Sequence, residues 1–163
     1  NAITSRPAPS VSPPADAARA LTVGGANSDG SAWLFSGRGP TFDGRVKPDV
    51  LAPAVGVSVV SPADDTSITS NRGTSFAAPL VAAAAALLLE AFADATPDEL
   101  LTAFRTTASQ ADAPDAQHGY GLANAAAAYE QLAQRYTPAV VRRADSMTPV
   151  AWGALKASQR ERP

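Results

Sequence analysis

The stretch Asn71-Arg72-Gly73-Thr74-Ser75-Phe76-Ala77-Ala78-Pro79 runs straight into the apolar segment Leu80 to Leu89. A polar, glycine-containing turn therefore leads into a long apolar helix, with a serine at the junction. The usual role of serine or threonine there is an N-cap, accepting one backbone hydrogen bond. The chemical alternative is a nucleophile. At a helix N-terminus the free N–H groups and the positive end of the dipole favour negative charge. The same N–H groups can donate to an oxyanion during acyl transfer.

The helix that follows carries five consecutive alanines, Ala82 to Ala86, and has no polar face before Glu90. A helix of that kind is expected to be buried on several sides. Pro79 is expected in its first turn, where proline is tolerated. The run Phe76 to Leu89 is too short to span a membrane.

The rest of the composition bounds the function. The chain has 163 residues, 45% of them hydrophobic, enough for one domain with a core. Its net charge of −2 argues against a nucleic-acid partner held by phosphate contacts. It has no cysteine, so neither a disulfide framework nor a cysteine metal site is available. It begins with Asn1 and shows no basic-then-apolar signal segment.

Ahead of the serine, Pro7, Pro9, Pro13 and Pro14 exclude regular structure. Arg19 to Gly24 reads as a short buried strand, and Asn27-Ser28-Asp29-Gly30 as a turn. Ala32 to Phe35 suits a short extended piece and Val46 to Pro53 an extended or turn segment, since residues before proline favour the β region. Val55 to Val60 reads as a second strand and Thr66 to Ser70 as part of a β-ribbon.

Behind the serine, Thr96, Pro97 and Glu99 form a capping-box signature, opening a helix to about Thr106 with Leu100, Leu101 and Phe104 on one face. Gly119-Tyr120-Gly121 leads into a further helix over about Asn124 to Arg135. The domain is read as residues 1–135, with 136–163 as a weakly ordered, basic-ended tail.

Five blocks resemble the subtilisin-like serine proteases, in that family's order. They are Ala20-Leu-Thr-Val-Gly24, Phe35-Ser-Gly-Arg-Gly-Pro40, Lys47-Pro-Asp-Val-Leu-Ala-Pro53, Gly73-Thr-Ser-Phe-Ala-Ala-Pro79 and Gly119-Tyr-Gly-Leu-Ala-Asn-Ala125. The resemblance implies the C-terminal portion of a three-layer α/β fold with a mainly parallel sheet. It implies an endopeptidase in which Ser75 attacks the peptide carbonyl, a histidine removes its proton and an aspartate orients that histidine. The backbone N–H of Ser75 would also serve the oxyanion hole.

Family order is Asp, His, Ser, so both partners belong upstream of Asn1. The single histidine, His118, follows the serine and has the wrong context for the base. The chain is therefore expected to be one part of a catalytic domain, inactive alone and dependent on the missing N-terminal part. The family has an oxyanion-hole asparagine ahead of the matched strand. Asn1 stands at a suitable distance before Pro14-Ala15-Asp16, and is either that donor or simply the first residue of a fragment.

The resemblance implies a protein or peptide substrate, a secreted or cell-envelope location and no required cofactor. A structural calcium in the parent is compatible with it, with no metal ligand assigned here. Asp49 is a weak cation candidate and a better buried hydrogen-bonding residue. Ala54 stands where the family usually has glycine, which predicts strain if that position needs positive φ. Two further readings stay open. One is a catalytically inactive remnant serving as an interaction module. The other is an ester hydrolase, against which the Gly-Thr-Ser turn counts, since it is not a Gly-x-Ser-x-Gly elbow.

Overall fold

The computed structural model describes residues 10–64 and 66–139. Asn1 and most of the expected tail, from Val140 onward, lie outside the described residues. Strands β1 (Val23–Ala26) and β2 (Val50–Pro53) pair in parallel, with Val23 opposite Val50 and Ala26 opposite Pro53. Leu122 extends this sheet by a parallel bridge to Leu51, flanked by bonds from Leu51 N–H to Gly121 O and from Ala123 N–H to Leu51 O. Strands β3 (Val57–Val60) and β4 (Ile68–Asn71) form a separate antiparallel ribbon that leads into the serine turn.

The first strand lies later than Arg19 to Gly24 suggests. Its ladder starts only at Val23, because Ala20 and Thr22 turn their polar groups toward Lys47 and Asp49. The extended piece expected over Ala32 to Phe35 is reduced to one antiparallel bridge, Ala26 to Ala32, before the chain turns at Trp33 to Ser36. The expected β-ribbon is present, but β4 is exposed along its whole length.

Helix α1 (Thr74–Ala91) packs against β1, β2 and α3 (Ala125–Ala133); α3 also packs against α2 (Pro97–Thr106). Its buried residues Ala77, Val81, Leu88 and Ala91 are spaced by four, seven and three residues, giving a single stripe. Burial on several sides is not observed. Leu80, Leu87 and Leu89 stand 46%, 66% and 40% exposed, since nothing among the described residues covers that face. The 18-residue helix is also long and apolar enough to cross a bilayer. That length and composition equally suit a core helix, and one stripe of α1 faces the sheet here.

Pro79 is the sixth residue of α1, not a first-turn residue. Having no N–H, it leaves the Ser75 carbonyl without its i+4 donor. The capping box opens α2 as expected. Thr96 Oγ1 accepts from Glu99 N–H, and Glu99 Oε2 accepts from Thr96 N–H at 2.8 Å. The α3 cap is Asn124, whose Oδ1 accepts from Ala127 N–H. Beyond α3, Tyr136 donates its hydroxyl to Glu99, and Ala139 N–H donates to the Ala91 carbonyl at the end of α1.

Candidate active site

Glycine sets the geometry at the serine. Gly73 precedes α1 at φ 144, ψ 150, a region open essentially only to glycine. Its N–H donates to the Ala54 carbonyl at 2.8 Å, just past the end of β2. Ala54 N–H in turn donates to the Ala26 carbonyl at 2.9 Å, at the end of β1. Two adjacent strand ends thus fix where the turn begins, and the φ of Gly73 redirects the chain into the helix.

Thr74 and Ser75 are the first two helical residues. Ser75 is exposed, and its hydroxyl makes no hydrogen bond among the described residues. Helix α1 has no side-chain cap, so the N-cap role is not what this serine performs here. The N–H groups of Thr74 and Ser75 have no intrahelical acceptor at these positions. With the helix dipole behind them, they can receive a developing oxyanion.

The floor of the site is built from small residues. A methyl group on Gly25 would stand 2.6 Å from Ala54 Cβ and 3.3 Å from both Thr74 Cγ2 and Trp33 Cε3. Gly25, Ala54, Thr74 and Trp33 therefore meet at one point, and any bulk at position 25 would push α1 off the strand. The loop after β1 is tied to the same glycine. Gly25 O accepts from Trp33 N–H at 2.8 Å and Gly25 N–H donates to Ser36 Oγ at 3.0 Å. Next to it, the Trp33 and Phe35 rings pack with centroids 5.2 Å apart at a tilt of 58°, with Phe35 largely exposed.

The strain expected at Ala54 is absent. No described non-glycine residue has positive φ, and the positive-φ glycine of this segment is Gly56. Ala54 is instead fully buried, with its methyl group against Gly25.

His118 lies at the opposite end of β2. Gly119 abuts the carbonyls of Pro48 and Asp49, and Tyr120 N–H donates to Asp49 O. From Asp49 to Ala54, five residues at about 3.3 Å each put it roughly 17 Å along the strand from the serine turn. His118 Nδ1 is 3.0 Å from Asp115 Oδ2. Burial pushes the Asp115 carboxyl up, but hydrogen bonds from His118, Gln110 and Gln117 outweigh it and hold it at about 2. The pair organises its own loop.

Asp49 is not available to an added cation. Its carboxylate is buried, with Oδ2 accepting from Thr22 N–H at 2.6 Å and from Lys47 Nζ at 2.7 Å. Its Oδ1 accepts from Arg105 Nε at 2.8 Å and from the Arg105 Nη2 group. Arg105 follows the apolar face of α2 by one residue, and sequence reading gives it no role. Its position after Leu101 and Phe104 on a core-facing helix is the one available signal. Among the described residues, no group of three or more His, Cys, Asp or Glu could hold a metal ion.

The Subtilase family model matches residues 3–121. The chain is 37% identical over 109 residues to serine protease AprX of Bacillus subtilis, covering 55% of this chain and 25% of AprX. It is 32% identical over 122 residues to bacillopeptidase F of the same organism, covering 71% of this chain and 8% of that protein. The chain thus spans a quarter or less of these two relatives.

Among solved structures, the prenylagaramide maturation protease PagA is similar at TM-score 0.60 and 26% identity, covering 73% of this chain and 44% of PagA. The Clostridium perfringens CspB protease is similar at TM-score 0.62 and 26% identity, covering 71% of this chain and 27% of CspB. The family match spans β1, β2, the serine turn and the Gly119–Gly121 loop, the same segments that converge on the strand ends, and the chain belongs to the subtilase family.

Proposed function

We propose that this chain is the nucleophile-bearing part of a subtilisin-like serine endopeptidase, with Ser75 as the nucleophile. The observation that carries the reading is a family-matched serine, exposed and uncapped, at the head of α1 beside two N–H groups free for an oxyanion. The general base and its orienting aspartate come from polypeptide upstream of Asn1, together with the remaining layers of a three-layer α/β domain. Residues 1–135 belong to that domain, and Asn1 is the candidate side-chain donor of the oxyanion hole. The substrate is a protein or peptide, and the location is outside the cell or in its envelope. No cofactor takes part in the chemistry, and any structural calcium is held by residues elsewhere in the parent.

In the acylation step the base would take the Ser75 proton while Oγ attacks the scissile carbonyl. Negative charge would then move onto the carbonyl oxygen, toward the Ser75 N–H. Collapse of that intermediate would break the scissile C–N bond, with the base giving its proton to the departing amine. Water, deprotonated by the same base, would then attack the acyl-enzyme and release the new carboxylic acid and the Ser75 hydroxyl.

The test is covalent labelling with a fluorophosphonate, applied to the polypeptide as its gene encodes it. Labelling is expected in the native protein and absent from Ser75→Ala, with peptidase kcat lower by about 10⁶-fold. A native protein that folds but takes no label supports the inactive-remnant reading instead.

A further inference from the structure

Arg72 stands three residues ahead of Ser75, and the backbone is fixed on both sides of it. Asn71 pairs with Val57 across the β3–β4 ribbon, and its Oδ1 accepts from Arg72 N–H at 2.8 Å. Gly73 N–H donates to the Ala54 carbonyl. The Arg72 side chain itself is exposed and makes no hydrogen bond or ion pair among the described residues. The turn is held without it.

Other arginines find a carboxylate: Arg19 with Asp98, Arg45 with Asp43, Arg105 with Asp49 and Arg135 with Glu99. Arg38 also lacks one among the described residues, but it adjoins Gly39, which abuts Lys47 ahead of β2 and away from the serine turn. Helix polarity makes the placement of Arg72 unfavourable for stability. It directly precedes the Gly73 N-cap of α1, where the positive end of the dipole repels a cation. The first turn of α1 has no acidic residue to offset this, whereas α2 opens with Asp98 and Glu99. An uncompensated cation thus borders the nucleophile, adding to the positive field of the helix end.

We propose that Arg72 is a specificity-determining residue, selecting peptides that carry an aspartate or glutamate close to the scissile bond. The inference rests on Ser75 being the nucleophile. Three residues of chain span at most about 11 Å, and an extended substrate covers the same length in three residues. The selected carboxylate therefore lies within about three residues of the bond cleaved. A guanidinium can meet it with two parallel N–H···O bonds. The pair is exposed, so the preference is modest and screened by salt.

End-blocked peptides test this, with Glu, Gln or Lys placed in turn at each of the three positions on either side of the cleaved bond. The polypeptide as its gene encodes it is expected to cleave the Glu peptide with kcat/KM about fivefold above the Gln peptide at one or more positions, and the ratio to fall toward one in about 1 M salt. Arg72→Gln is expected to level Glu and Gln, and Arg72→Glu to prefer Lys at the same position. Fluorophosphonate labelling of Ser75 is measured alongside in all three proteins. A native protein that is labelled yet cleaves the three peptide series alike overturns this inference alone, as does a variant that keeps the native ratios. A variant that loses labelling shows that the turn itself needs Arg72, and overturns the specificity role. A native protein that takes no label overturns the serine reading and this inference with it.

Discussion

Single residues do sharply separate work around β2. Gly73 illustrates backbone control. A methyl there would find room, its nearest neighbour being Phe76 Cδ2 at 3.6 Å, so the cost of substitution is conformational. Gly73→Ala forces an alanine into a glycine-only region, worth on the order of 1–3 kcal/mol, or relocates the turn. The expected outcome is a folded protein whose Ser75 labelling by fluorophosphonate slows at least tenfold, checked by labelling kinetics beside circular dichroism. Asp49 illustrates charge control. Asp49→Asn leaves Lys47 buried without its counter-charge, a change that typically costs about 3–5 kcal/mol. The measurement is denaturant unfolding, and a loss below about 1 kcal/mol would contradict the buried pairing. These two residues also differ in legibility. A glycine ahead of Thr-Ser is plain in the sequence, whereas of the two cations on Asp49 only Lys47 is a sequence neighbour, and Arg105 reaches it across 56 residues through folding.

At the scale of elements, the helix starts show how local chemistry and tertiary contact divide. Helix α2 is locally encoded, its capping box closing within four residues. Thr96→Ala is expected to lose about 1 kcal/mol of stability, measured by urea unfolding. The cap also has a pH signature. Backbone and side-chain hydrogen bonds from Thr96, joined by the Tyr136 hydroxyl, lower the Glu99 carboxyl from 4.5 to about 2. A lowered folded value means the contribution is complete above about 4.5 and disappears as pH falls toward about 2. Melting temperature measured between pH 5 and pH 2.5 is expected to fall less steeply in Thr96→Ala than in the native protein. Helix α1 is the opposite case. It has no cap, a proline in its second turn and a first turn held from outside by Ala54. Its start at Thr74, and hence the placement of Pro79 inside the helix, follows from that tertiary bond.

For the molecule as a whole, the exposed face of α1 sets the main physical constraint. Leu80, Leu87 and Leu89 lie on a helix whose other face is the core, so the described residues of a polypeptide of residues 1–163 alone leave a contiguous apolar surface on α1. It is expected to self-associate and to show negligible peptidase activity, checked by light scattering and a peptide-cleavage assay. Leu80→Lys with Leu87→Glu is expected to reduce the association while leaving the α1–β1–β2 packing intact, since neither side chain is in the buried stripe. A soluble monomer of the unmodified chain would contradict this account.

The sequence by itself determined the family, the serine turn, the capping box of α2 and the approximate strands. These depend on local signals: turn residues, proline, periodicity and runs of motif that survive without knowledge of contacts. Only the tertiary structure decided which face of an all-apolar helix is buried, because periodicity cannot choose a face where every position is apolar. It also decided that Ala54 is an unstrained anchor, that His118 stands at the far end of the strand from Ser75, and that the cation beside Asp49 is a lysine. The contacts behind these facts join Gly73 to Ala54 at one end of β2, and Tyr120 to Asp49 and Lys47 to Ala20 at the other, and no local pattern encodes them.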